Sequence, residues 1–388
     1  MRHLKRTWVE INIDNLQHNY EEIKRIIGDK TAVMGIVKAD AYSHGSVPVA
    51  LALQEFGVDW LGVSNIIEAK ILRKAGVEKP ILILGYTPIE NATELFELNV
   101  SQTVFGAEYA EKLSAAAAAA NVKINVHVKI DTGMSRLGFD CHDIKKTVSQ
   151  IAKMVYLPYL KVTGIFTHFS VADEHTESAC EFTQMQHDRF AQVLAELHSR
   201  GIEFAYVHCC NSAATLFNPE FHHNMVRPGI ILYGLSPNGM PIEGIDLRPV
   251  MTLKSVVSLV KTINAGDSVS YGCTFTSDRE MKIATVPMGY ADGYPRAMSN
   301  RGFAWVNETV VPVVGAVCMD QLMLDVTDVE VNEGDEVIFF GGTSPISLDN
   351  VAVIAKTINY ELMCGISRRV ERVYVKNGDI SEVVDYTL

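Results

Sequence analysis

The chain has 388 residues, enough for two or three domains each with its own core. A formal net charge of −12 and an isoelectric point near 5.5 argue against nucleic acid or an anionic membrane as the main partner. The seven cysteines are odd in number and scattered without a Cys-x-x-Cys pair, which fits reduced thiols in the cytosol and neither a disulfide framework nor a zinc site.

Met1-Arg2-His3-Leu4-Lys5-Arg6 shows no basic-then-apolar leader, and no segment carries the roughly 18 uninterrupted apolar residues of a membrane span. The alternating run Trp8–Ile13 predicts a strand with no helix before it, a candidate to pair with a later domain. A βα rhythm follows. Strand-like runs stand at Val33–Val37, Trp60–Val63, Ile81–Leu84, Thr103–Phe105, Val126–Ile130, Val162–Phe166, Phe204–His208 and Met225–Val226. Between them lie helix-length segments, among them Asn15–Ile27, Pro48–Phe56, Ile66–Ala75, Ala107–Ala120 and Asp143–Met154. The alanine run Ala115–Ala120 has the highest helix propensity available. The alternation predicts a (β/α)₈ barrel, although the fourth and eighth runs are short.

Ser236-Pro237-Asn238-Gly239-Met240-Pro241-Ile242-Glu243-Gly244 is dense in breakers and reads as a linker. It divides a barrel domain, 1–240, from a mostly β domain, 241–388. Strands of the second domain are expected at Met251–Lys261, Lys282–Val286, Phe303–Val306, Val311–Val314, Glu336–Phe340 and Arg372–Val375, with one helical stretch at Leu348–Met363.

In such barrels chemistry collects at the carboxyl ends of the strands. Lys38 ends the first run, at the lip of an apolar strand, where desolvation favours a neutral amine able to condense with an aldehyde such as that of pyridoxal phosphate. Lys129 and Asp131 end the fifth run, His168 follows the sixth, Asn211-Ser212 the seventh and Arg227 the eighth. Each has a plain alternative: His168 as a hydrogen-bonded core histidine, Arg227 as a surface ion-pair member, Ser212 as a helix cap. Five strands delivering polar groups to one rim make a site the better reading.

The segments in question are long. They are Val37-Lys38-Ala39-Asp40-Ala41-Tyr42 with His44-Gly45, Val128–Gly138, Phe166-Thr167-His168-Phe169, Asn211-Ser212-Ala213-Ala214 and Val226-Arg227-Pro228-Gly229-Ile230. The second domain adds Val269-Ser270-Tyr271-Gly272, Met288–Gly293, Val317–Gln321, Ile358-Asn359-Tyr360-Glu361 and Arg368-Arg369-Val370. In this order, over nearly the whole chain, they resemble the alanine racemases. The resemblance implies a barrel plus β domain, a homodimer, pyridoxal 5'-phosphate as cofactor, and D-alanine supplied for peptidoglycan.

By that resemblance Lys38 holds the cofactor covalently and serves one face of the substrate. Tyr271, from the partner subunit, serves the other. Racemisation removes a proton from one face of Cα and delivers it to the other, which two opposed bases accomplish directly. Tyrosine is a poor base at its ordinary pKa near 10, so a chain from Tyr271 through His168 to Arg227 is implied as its support. Tyr42, Ser212, Tyr360 and the amides of Gly229 and Ile230 match the family's phosphate donors, and Arg227 its partner for the ring nitrogen. Arg136 and the Met319 amide match the groups that receive the substrate carboxylate. Lys129 matches a lysine that is carbamylated in some members.

Ser43, where the family usually has Gly, Cys210 in place of Ala or Ser, and Ala316 in place of a frequent Arg depart from the pattern. A racemase of serine or of several amino acids, and a non-catalytic carrier of the cofactor, are the alternatives. The bulk of Tyr360 favours alanine over the first, and the second domain disfavours the other. A decarboxylase is disfavoured because Arg227 stands where that chemistry calls for a carboxylate.

Overall fold

The computed structural model describes residues 3–240 and 242–387. Met1 and Arg2 of the opening run, and Pro241 of the predicted linker, lie outside the described residues.

The first strand, β1 (Thr7–Asn12), is followed by the helix Ile13–Ile27, which Asn12 caps by accepting the Asn15 N–H at 2.9 Å. Then come β2 (Ala32–Ile36), β3 (Trp60–Val63), β4 (Ile81–Ile83), β5 (Ser101–Val104), β6 (Ile124–Asp131), the short β7 (Phe139–Asp140), β8 (Leu160–Phe166), β9 (Tyr206–His208) and β10 (Met225–Val226). Eight of these pair in parallel in the order β10-β2-β3-β4-β5-β6-β8-β9, with β7 attached to β6. The result is a nearly closed eight-stranded barrel with helices between the strands. No ladder joins β9 to β10. There the Asn224 side chain bridges the gap, accepting the Val207 N–H and donating to the Ala205 carbonyl, both at 2.8 Å. The alanine-rich segment is helical over Ala107–Ala119, packing Ala110, Leu113 and Ala117 inward. Among the described residues no helix is long and apolar enough to cross a membrane.

The second domain is built on a ten-stranded sheet. Its members from the carboxyl-terminal part are β11 (Met251–Val256), β12 (Leu259–Ile263), β15 (Met281–Val286), β16 (Phe303–Val306), β17 (Thr309–Val314), β18 (Leu322–Asp325), β19 (Glu336–Phe340), β20 (Glu371–Lys376) and β21 (Asp379–Val384). A small hairpin, β13 (Ser268–Val269) with β14 (Phe275–Thr276), stands beside it. The run expected as one strand over Met251–Lys261 is two. β11 pairs with β1 and β19, whereas β12 pairs with β15, and the chain turns between them at Val257-Ser258. The expected helix Leu348–Met363 is likewise two, Leu348–Ala355 and Asn359–Cys364, broken by the left-handed Lys356. Arg372–Val375 does not end the strands, since β21 folds back on β20.

β1 lies antiparallel to β11 and parallel to β20, inside the second domain's sheet. The chain therefore starts in the second domain and crosses to the barrel at once, and one continuous apolar core runs from Val9 and Ile11 through the barrel to Tyr374. Asn19, fully buried on the first helix, clamps the returning segment. It accepts the Arg248 N–H at 2.8 Å and donates to the carbonyls of Arg248 at 2.8 Å and Leu232 at 3.1 Å. Asn19→Ala leaves these backbone groups without partners. We expect a loss of about 2–3 kcal/mol, read as a lower urea midpoint of the first unfolding transition. A loss below about 0.5 kcal/mol would mean that water takes over the amide's role.

Candidate active site

Lys38 leaves the barrel at the carboxyl end of β2 and opens an unusual turn. Ala39, Asp40, Ala41, Tyr42 and Ser43 have φ of 53°, 55°, 52°, 54° and 63°, a left-handed turn made without glycine. Each such residue costs roughly 1–2 kcal/mol, so the surroundings must hold the turn in place. They do so from two sides. Glu68 accepts the Ala39 N–H at 2.9 Å, and Asp40 accepts the Ser46 N–H at 2.8 Å. From β20, Arg372 Nε donates to the Ser43 carbonyl at 3.0 Å and Tyr374 Oη to the His44 carbonyl at 2.9 Å. Gly45, at φ +89°, has no room for a Cβ against Tyr374 Oη. Ser43 stands at φ 63°, a left-handed conformation that favours glycine, and its hydroxyl donates to the Cys364 carbonyl at 3.3 Å.

Tyr42, at the end of this turn, packs 5.0 Å from the Tyr233 ring and 6.1 Å from that of Tyr360. The hydroxyls of Tyr42 and Tyr360 have no hydrogen-bond partner among the described residues. Ser212 Oγ accepts the Gly229 N–H at 2.8 Å. Asn211, not Ser212, caps the helix Ser212–Phe217, accepting the Ala214 N–H at 3.0 Å, and so leaves the serine hydroxyl free to donate. A Cβ on Gly229 would lie 2.7 Å from Tyr42 Oη. The structure thus gathers Tyr42, Ser212, Gly229 and Tyr360 around one cradle, with Ile230 opening the short turn behind Gly229.

Arg227 is buried and meets no carboxylate among the described residues. Its guanidinium reaches His208 Nδ1 at 2.9 Å, His168 Nδ1 at 3.2 Å, and the carbonyls of Thr167 at 2.7 Å and Cys209 at 2.9 Å. Burial pushes Arg227 down to about 10, still charged at neutral pH. His168 is driven well below the ordinary histidine range by burial and by Arg227, so it is a neutral imidazole. The surface ion pair is not what Arg227 makes.

Lys129, on the inward face of β6, is 5% exposed and lies 5.1 Å from the Phe166 ring. Burial first, then Arg227 and Arg136, lower its amine to about 7. The same causes, burial and Arg136, lower Lys38. Asp131 is spent on structure, its oxygens accepting the N–H groups of Gly133, Ser135 and Arg136 at 3.0 Å. That Asx turn presents Arg136 at the rim.

Tyr271 and Met319 are not brought to Lys38 within this chain. Their side chains are 74% and 53% exposed, and they share one corner of the second domain. Ser270 Oγ donates to the Ala316 carbonyl at 2.6 Å and lies 3.2 Å from Cys318 Sγ, tying the two loops together. Sequence reasoning missed His208, His127, Arg372 and Tyr374. Only one signal pointed to any of them: polar residues at inward positions of otherwise apolar strands.

Models of the alanine racemase N-terminal and C-terminal domains match residues 11–237 and 250–374. The chain is 43% identical over 386 residues to alanine racemase 2 of Caldanaerobacter subterraneus subsp. tengcongensis, covering 99% of this chain and 98% of that one. It is 44% identical to the alanine racemase of Desulforamulus reducens, covering 95% and 98%. Among solved structures it is similar to the alanine racemase of Clostridium difficile 630, at a TM-score of 0.94 and 39% identity over the whole of both chains. A Bacillus anthracis alanine racemase with bound L-Ala-P follows at 0.92 and 35%, covering 100% and 99%.

The lowered Lys129 amine makes a pH prediction. Between about 7 and the unfolded value near 10.4 the unfolded chain binds the lysine proton and the folded chain does not, so this residue's contribution to stability rises with pH. In bicarbonate-free buffer the stability of wild type minus that of Lys129→Met should therefore increase from pH 7 to pH 9.5, read from urea midpoints. A constant difference would show that Lys129 keeps its proton throughout.

Proposed function

The chain belongs to the alanine racemase family, and from that premise we propose that it interconverts L-alanine and D-alanine with pyridoxal 5'-phosphate held on Lys38. The observation that carries the reading is the convergence of Lys38, Tyr42, Ser212, Arg227, Gly229 and Tyr360 at one barrel rim. It has the donor set this cofactor needs. Lys38 offers an amine whose proton is weakened by burial and by Arg136. The phosphate finds two unpartnered phenol hydroxyls, a free serine O–H, the Ile230 amide, and at Gly229 a backbone that only a residue without Cβ brings so close to Tyr42. Arg136 and Arg227 supply permanent positive charge that a phosphate and a substrate carboxylate neutralise, and Lys38 and Lys129 add to it where protonated.

When bound, the cofactor would supply an electron sink for Cα, which makes the α-proton acidic. Lys38 Nζ would hold or deliver that proton on one face. Tyr271 of the partner subunit does so on the other, and its exposure in a single chain is what a site completed across a homodimer requires. Neutral His168, with Nδ1 occupied by Arg227, carries its proton on Nε2 and can relay the tyrosine's proton balance. Arg227, the residue that would face the cofactor's ring nitrogen, donates but does not surrender its proton, so it would leave that nitrogen unprotonated and suppress side reactions. Arg136 and the Met319 amide receive the substrate carboxylate. Lys129, with its amine lowered to about 7, offers near neutral pH a substantial share of the neutral form that adds carbon dioxide. As a carbamate it becomes the anion that Arg136 otherwise lacks. The product is D-alanine for the cell wall, made by a cytoplasmic enzyme.

The test is incubation of the purified protein with a panel of L-amino acids, assayed for the D-enantiomer. Alanine should be the preferred substrate, and borohydride should fix the cofactor on Lys38 by peptide mapping. Faster turnover of serine, or an adduct on another lysine, would overturn the substrate or the anchor. Tyr271→Phe keeps the ring but loses the hydroxyl. Racemisation should fall by about 10²–10⁴-fold, while α-proton exchange into deuterated solvent survives better from D-alanine than from L-alanine. Mixing it with inactive Lys38→Ala should restore activity, because one site of the hybrid collects both defects and the other neither. Equal loss of exchange from both enantiomers, or no recovery despite verified subunit exchange, refutes the two-base, two-subunit site.

A further inference from the structure

The barrel interior carries a polar chain that the chemistry above does not use. Arg227 Nη1 lies 2.9 Å from His208 Nδ1, and His208 Nε2 lies 3.0 Å from His127 Nδ1. All three side chains are buried, and the Phe166 ring stacks on His208 at 4.8 Å while Trp60 flanks His127 at 5.1 Å. The proton positions follow from donor chemistry alone. A guanidinium can only donate, so His208 Nδ1 must be bare and its proton must sit on Nε2. That proton points at His127 Nδ1, which must be bare in turn. His127 then carries its own proton on Nε2, a buried atom with no partner among the described residues. One arrangement satisfies the whole chain, and it is dictated from Arg227 outward.

The backbone makes room for it. The register between β6 and β8 shifts after Val126, which pairs with Val162, so that His127 faces Gly164 and Thr163 is the extra residue. A Cβ on Gly164 would stand 2.5 Å from His127 Nδ1. A bulge and a glycine thus seat an imidazole inside the barrel. Burial pushes His127 down to about 3 and His208 well below its ordinary range, so both are neutral acceptors and cancel none of the charge on Arg227.

We infer that His208 and His127 are positioning residues, a two-imidazole buttress seated by Gly164 that fixes the Arg227 guanidinium in one orientation beneath the cofactor's ring nitrogen. This rests on the role given to Arg227 above. A carboxylate in place of His208 would hold the arginine equally well but would compensate its charge. An apolar residue would spare the charge but leave Nη1 without this partner, the guanidinium then being held only through Nη2 by Thr167, His168 and Cys209.

The test begins with the holoenzyme labelled with ¹⁵N-histidine. Two-bond proton–nitrogen correlations at pH 7 should show His127 and His208 both neutral with the proton on Nε2. Either residue charged, or protonated on Nδ1, overturns the inference. This readout does not depend on turnover, so it stands even where the substrate reading fails. His127→Gln retains a side-chain carbonyl to accept the His208 proton, whereas His127→Leu does not. The leucine variant should lower kcat about tenfold with KM little changed and move the His208 signals, and the glutamine variant should recover most of the loss. Equal effects of the two substitutions, with His208 unmoved, would reduce His127 to barrel packing and overturn its role. If neither variant folds, the tautomers in the wild-type enzyme decide alone.

Discussion

The left-handed turn from Ala39 to Ser43 is the constraint on which the rest of the site depends. No residue in it is glycine, so the conformation is costly and cannot persist in a free loop. What holds it is largely the other domain. Arg372 and Tyr374 of β20 grip the carbonyls of Ser43 and His44, and β20 is itself registered against β1, the strand that leads into the barrel's first helix. The position of Lys38, a barrel residue, is therefore a property of the two-domain unit. The same coupling gives β1 its place in the second domain's sheet. A strand shared in this way lets the sheet and the barrel set one another's register.

Charge is the second organising fact. Four cationic side chains, Lys38, Lys129, Arg136 and Arg227, converge on the rim, while the nearby Asp131 carboxylate is occupied by backbone amides. Cations left unbalanced and partly desolvated lose protons more readily, which is why both lysines are lowered, and Lys129 to about 7. The arginines do not yield theirs. The site consequently pairs reactive, neutral-prone amines with permanent cations, an arrangement suited to holding anions and moving protons together. Its neutral histidines serve the same end, since His168 and His208 accept from Arg227 without quenching it.

Much of this was legible along the chain. β3, β10, β16 and β19 fall where their apolar runs place them, because a buried strand needs little more than an apolar segment between breakers. The rim residues were legible for a related reason, as polar groups directly after such runs. Where periodicity failed, the cause was tertiary. Val257-Ser258 is apolar enough to continue a strand, yet the sheet divides there, and Lys356 turns left-handed inside a helix-compatible stretch. The plain alternative for Ser212, a helix cap, fails because its neighbour Asn211 takes that role.

By itself the sequence determined most of the barrel's strands and helices, several strands beyond the linker, and the residue types offered at the barrel's rim. These are local matters, set by the spacing of apolar residues and by the turn chemistry between them. Only the tertiary structure decided which groups meet. It buried Arg227 among carbonyls and neutral imidazoles in place of a carboxylate, set the bulge that faces His127 to Gly164, and turned Tyr271 outward, away from its own chain's Lys38. The reason is physical: proton positions, desolvation and exposure are fixed by neighbours distant in sequence, and no local pattern encodes them.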